Sequence, residues 1–152
     1  MLARRALECR GMTFDTVHKA IKRGDSEAIR NAFDEGLDPD LANKGGWTIL
    51  MLAAMKGNSQ IGKLLIDHGA DLNKRNTHRD TALSLATLSG SASFVELLLE
   101  RGASLECYPH GNSLDAYLDW LSTFYPERMK RIRKAFDSRR SVQPEASGSK
   151  PI

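Results

Sequence analysis

The side chains able to do chemistry are few and scattered. The histidines are His18, His68, His78 and His110, and the cysteines are Cys9 and Cys107. A metal site needs several such ligands at matched spacing, yet the nearest pair, Cys107 and His110, has no second pair to complete it, and no C-x-x-C pair occurs. A cysteine nucleophile needs a base held beside it, and no local spacing fixes a histidine or acid against Cys107. No phosphate-cradling G-x-x-x-x-G-K is present either. The chain therefore reads as a non-enzyme with no cofactor, no metal and no catalytic residues. One concentration of charge stands out: Arg128, Lys130, Arg131, Arg133, Lys134, Arg139 and Arg140. Such a segment can steer anions, but its one aromatic, Phe136, makes no row of interleaved rings for base stacking. A solvated helix face is the plainer reading, and nucleic acid is not the expected partner.

What positions these residues is a pattern written twice, 33 residues apart. Asn43 falls on Asn76, Thr48 on Thr81, Leu50 on Leu83, Ala53 on Ala86 and Gly57 on Gly90. Leu64-Leu65 falls on Leu97-Leu98, and Gly69-Ala70 on Gly102-Ala103. A fixed period of this length marks a stacked array of small helical units. Each copy predicts a helix opened by Thr48 or Thr81, a glycine turn, and a second helix ending at Gly69 or Gly102. Leu50, Ala53, Ile61, Leu64 and Leu65 form one apolar stripe, and Leu83, Ala86, Phe94, Leu97 and Leu98 the next. Gly62, inside a helix, reads as a soft spot of about 1 kcal/mol against alanine.

A degraded copy precedes these two, with Asp15 in the place of Thr48 as the expected cap and Gly24 in the place of Gly57. Its second helix is expected from Ser26 to Asp34. A fourth copy follows two residues short, placing Asn112 under Thr81 and Leu114 under Leu83. Pro126 suits the first turn of a closing helix to about Phe136, with Met129, Ile132 and Phe136 as its apolar side. The resulting division is a flexible lead over 1–12 and a repeat domain over 13–137, with copies at about 13–42, 43–75, 76–106 and 107–137. A disordered Ser-, Pro- and Gly-rich tail is expected over 138–152.

The segments Thr48-Ile49-Leu50-Met51-Leu52-Ala53 and Gly69-Ala70-Asp71-Leu72-Asn73 resemble the T-P-L-H-x-A and G-A-D-x-N motifs of the ankyrin repeat. The resemblance covers roughly residues 13–125 and implies an all-α solenoid of about four helix-turn-helix units with short loop fingers. It further implies a protein partner held in the concave groove of fingers and first helices, with an inhibitor or immunity-type role compatible with so small a module. Carried across, the groove residues are Lys44, Trp47, Met51, Met55 and Lys56 in copy two. In copy three they are Thr77, His78, Asp80, Ser84 and Leu88, with Tyr108 beyond. Lys22 and Arg23 extend the groove at one end. Trp47 either anchors a partner or packs on its own loop, and Trp120 either extends the groove at the other end or, as the plainer reading, lies in the core of the last copy. His18 takes the histidine place of the motif, which implies a loop-bracing hydrogen bond. The alternative function is an anion-directed adaptor, for nucleic acid or an acidic membrane surface, using the basic segment.

The net charge of +3 is unevenly spread. Residues 13–125 hold 11 Lys/Arg against 15 Asp/Glu, while 126–152 hold 8 against 3. With Asp80 and Asp115 on the groove side, the expected partner face is cationic or mixed. The longest apolar run is the seven residues Ile49–Met55, short of the ~18 a membrane span needs. Met1-Leu2-Ala3-Arg4-Arg5 has no apolar stretch behind it and does not read as a secretory signal. Two free thiols suit a reducing compartment; a cytoplasmic monomer is the expectation.

Overall fold

A computed structural model describes residues 12–105 and 114–142. Eight helices fill them: α1 (Phe14–Arg23), α2 (Ser26–Asp34), α3 (Ile49–Lys56), α4 (Ser59–Asp67), α5 (Ala82–Ser89), α6 (Ala92–Glu100), α7 (Leu114–Phe124) and α8 (Pro126–Val142). No strand occurs among the described residues, and the β structure there is an isolated bridge between Ala42 and Thr48. The first helices α1, α3 and α5 stack as one layer, and α2, α4, α6 and α8 as the second. Helix α7 packs on α8 and extends the first layer, its Tyr117 hydroxyl donating to the Ser84 carbonyl at 3.5 Å. The all-α array of helix pairs is thus the observed architecture.

The helices begin where polar side chains satisfy their free N–H groups. Thr48 Oγ1 accepts from Met51 N–H at 3.2 Å. Thr81 accepts from Ser84 N–H, and Ser84 Oγ accepts in return from Thr81 N–H at 3.0 Å, a reciprocal capping box. Helix α1 differs from expectation: Thr13 caps it and Asp15 lies inside its first turn. The Ala42–Thr48 bridge holds Thr48 extended in copy two, whereas no such bridge restrains Asp15 among the described residues, and the helix winds further back. Asn112, the expected cap of α7, lies outside the described residues.

Val17, Ile21, Leu50, Ala53, Leu83 and Ala86 fill the seam between the layers, with Ile61, Leu65, Phe94 and Leu98 facing them from the second helices. Recurrent polar links join the copies. The Asp40 carboxylate accepts from Asp71 N–H and the Asn73 side-chain oxygen from Ser104 N–H, both at 2.8 Å and both 31 residues apart. His68 stacks on Phe33 with ring centroids 3.9 Å apart, and its Nδ1–H donates to the Leu64 carbonyl. Among the described residues His18 makes no loop-bracing hydrogen bond; its ring tilts against Phe14 at 6.1 Å.

Two expectations are overturned here. Gly62 is a packing requirement rather than a soft spot, since a Cβ there would lie 2.5 Å from two ring atoms of Phe94. Helix α8 runs to Val142, past the expected end near Phe136 and into the expected tail. Ser138 and Ser141, which look like linker residues, donate back to the Lys134 and Ser138 carbonyls at 2.9 and 2.8 Å. Arg140 also makes two hydrogen bonds to the Asp115 carboxylate at 3.1 and 3.0 Å, anchoring the last turns to α7.

Candidate functional site

Two loop fingers are built by one device. Asn43 Oδ1 accepts from the N–H groups of Gly45 and Trp47, at 2.9 and 3.1 Å. Asn76 Oδ1 accepts from those of His78 and Asp80, both at 2.9 Å. Thr77 N–H donates to the Gly45 carbonyl at 3.0 Å and ties one finger to the next. These bonds present Lys44, Thr77 and His78 to solvent and leave Asp80 half-buried. Trp47 is half-buried and packs partly on its own loop, its ring 3.2 Å from where a Cβ on Gly45 would stand. The fingers differ at one point: Gly46 has φ 73°, and Arg79, its counterpart 33 residues on, has φ 68°. A left-handed backbone costs an L-residue roughly 1–2 kcal/mol. Part of that returns because glycine has more freedom to lose on folding. Arg79→Gly is therefore expected to raise the unfolding free energy by about 0.5–1 kcal/mol in urea titration; unchanged or lower stability refutes the strain.

The ends of the first helices form the second part. Register places Lys22, Met55 and Leu88 in one row and Arg23, Lys56 and Ser89 in the next. Ser89 Oγ donates to the Ala54 carbonyl at 3.1 Å, which brings the ends of α5 and α3 together. Met55 is 47% exposed and Leu88 48%. Met51 and Ser84 do not belong to this surface, for each is 1% exposed. They sit mid-layer with a first helix on either side, and Ser84 is engaged in its capping box. Tyr108 lies outside the described residues.

Helix α7 decides between the two places that the sequence leaves open for Trp120. With the two-residue shortening, Asp119 and Trp120 take the register of Leu88 and Ser89. Trp120 is 54% exposed rather than core, because Leu114, Tyr117, Leu118 and Leu121 occupy the buried face. No glycine stops α7 at the register of Gly90, so it continues to Phe124, 61% exposed. Trp120 and Phe124 meet edge to face at 5.6 Å, Tyr117 stacks beside Trp120 at 6.3 Å, and Phe124 reaches Tyr125. The signal was the i, i+4 spacing of Trp120 and Phe124, which places both on one side of the helix, with Tyr117 at the edge of the buried face.

Electrostatics change the expected charge of this surface. Hydrogen bonding from Arg140 holds the Asp115 carboxyl below its ordinary range, against slight desolvation and with help from the charges of Arg140 and Arg133. Asp119 is paired with Arg133, and Asp80 accepts from the Asn76 side-chain amide at 3.2 Å. The carboxylates that suggested a cationic partner are thus answered internally. Lys19, Lys22, Arg23, Lys44 and Lys56 are exposed and have no ion pair among the described residues.

Burial, and then the charge of Asp80, push the Tyr117 phenol up to about 12. A raised folded value means the neutral phenol stabilises the fold fully below the unfolded value of about 10. That contribution is lost as pH rises from there through the folded value. The melting temperature of the parent is expected to fall more steeply between these limits than that of Tyr117→Phe; parallel curves refute the assignment.

The basic segment is largely occupied. Lys130 pairs with Glu127, Arg133 with Asp119 and Arg140 with Asp115, while Arg128 lies 5.7 Å over the Tyr125 ring. Arg131, Lys134 and Arg139 border a groove of about 530 Å³ between α6 and α8, where Glu96 and Glu100 face them. Among the described residues there is no group of three or more His, Cys, Asp or Glu able to hold a metal ion, and no helix long and apolar enough to cross a membrane.

No curated protein gives a match. A family model described as ankyrin repeats (3 copies) matches residues 17–108, a span that takes in the Asn-built fingers, the capped helix pairs and the bonds that join them. The chain belongs to the ankyrin-repeat family.

Proposed function

We propose that this protein binds a partner protein across the groove of its fingers and first helices and performs no chemistry of its own. Ankyrin repeats are generally protein-interaction modules, and the family is generally not enzymatic. The observation that carries the reading for this chain is its uncovered apolar surface. Met55, Leu88, Trp120 and Phe124 are all exposed and all lie on first helices, while most equivalent apolar surface is buried. Exposed apolar groups gathered on one face mark an interaction surface, and aromatic anchors contribute most where they become buried. The module then acts by occupancy, as an inhibitor or immunity-type protein in the cytoplasm and as a monomer when free.

The test is a purified native complex probed with surface variants. A stoichiometric partner should be retained by R131A/K134A and lost, with the fold intact by circular dichroism, in L88K and W120A. Retention by both groove variants overturns the reading. Loss confined to R131A/K134A transfers it to the anion-directed adaptor.

A further inference from the structure

We propose that the groove takes an acidic segment of its partner, in one direction, with carboxylates over copy one and an apolar side chain over copy four. This deepens the groove reading and rests on it. Along the ends of the first helices the paired positions read Lys22-Arg23, Met55-Lys56, Leu88-Ser89 and Asp119-Trp120. Charge falls along that row and apolar surface rises. Lys22, Arg23 and Lys56 are exposed with no ion pair among the described residues. The acidic member at the far end, Asp119, is neutralised by Arg133, and Asp115 beside it by Arg140. The carboxylates near the row are engaged with backbone or amide groups or set apart from it: Asp25 caps α2 by accepting from Ala28 N–H, the half-buried Asp80 is held by Asn76, and Asp15 lies in the first turn of α1.

The chemistry of the row selects among occupants. A basic partner would set its cations against Lys22, Arg23 and Lys56 with no free carboxylate among the row's own residues to offset them. A phosphodiester backbone would find cations at one end only. It would then cross Met55 and Leu88, two exposed aliphatic side chains with no donor to offer it. An acidic peptide with an apolar residue downstream meets opposite charge first and apolar surface second. Unpaired complementary charge acts mainly on association rate and salt dependence. The apolar end, with Trp120 and Phe124 edge to face, supplies the anchor.

The experiment pans a phage-displayed library of random 12-residue peptides on the full chain, with a 20-nucleotide oligothymidylate as the nucleic-acid probe. Variants K22E/K56E and L88K/W120A are first shown to melt like the parent. Groove-dependent peptides should be rich in Asp and Glu with an apolar residue on their far side. Their affinity should fall roughly tenfold in K22E/K56E and weaken further with salt. Peptides lost in L88K/W120A but neutral or basic in composition overturn this inference and leave the groove reading standing. Peptides unaffected by either variant overturn the groove reading itself. A selection that yields no binders at all, or oligothymidylate bound as tightly and lost in K22E/K56E, overturns the acidic-peptide assignment.

Discussion

Replacing Phe94 by alanine is expected to lower the unfolding free energy by about 3–5 kcal/mol, the range for a buried aromatic truncated to a methyl group. Gly62→Ala should also destabilise, by up to about 2 kcal/mol, although alanine is the better helix former. The two follow from one contact. Phe94 on α6 is fully buried, and two atoms of its ring occupy the space where a Cβ on Gly62 of α4 would stand, at 2.5 Å. Helix propensity favours alanine by about 1 kcal/mol, but an added methyl group in a filled core costs about 1–3 kcal/mol. A ring with no exposed surface has no free direction in which to yield, so the packing term prevails. Urea titration of a double-mutant cycle checks this. In a Phe94→Leu background the Gly62→Ala cost should shrink or change sign, because the ring is gone. An unchanged cost in both backgrounds would falsify the contact as the cause.

That contact also marks how far the sequence could be read. The register aligns Ile29, Gly62 and Val95 in one column and Ala28, Ile61 and Phe94 in the next. A large residue at 94 and none at 62 are complementary volumes in neighbouring copies. Propensity scores each position alone and so reads Gly62 as a defect. The helix pairs themselves were legible because Thr48, Thr81, Gly57 and Gly90 act within one turn of their own position. The N-cap of α1 was misread because the rule placed Asp15 by analogy with copies whose preceding finger restrains the chain. At the candidate site, Lys44, Met55, Lys56, Thr77, His78 and Leu88 are exposed as a surface requires, whereas Met51 and Ser84 are not. A family groove pattern specifies columns but not depth, and depth depends on having a neighbour on each side. Trp120 went the other way: its size suggested core, but Leu114, Tyr117, Leu118 and Leu121 already fill the buried face of α7.

Phe136→Ala should be nearly as damaging as Phe94→Ala, at about 3–5 kcal/mol, and its effect should be local to one end. In a stacked array each unit is supported only by its neighbours, so the terminal unit must cover the last apolar face. Helix α8 does this with Met129, Ile132 and Phe136, each 1% exposed or less, packed against α6 and α7. Its charged side contributes far less. Arg133→Ala and Arg140→Ala break exposed ion pairs of the kind worth about 0–1 kcal/mol each. The two tryptophans report on different copies, Trp47 on copy two and Trp120 on copy four. Single-tryptophan proteins, Trp47→Phe and Trp120→Phe, therefore read the two ends separately by fluorescence in urea. Phe136→Ala should shift the transition seen by Trp120 by the full amount and that seen by Trp47 by less. Hydrogen exchange should show α6 and α7 amides losing protection before those of α1 and α2. A shift at Trp120 no larger than that of Arg133→Ala would mean that α8 decorates the array rather than closes it. In that case the apolar face of α6 would have to be covered by something else.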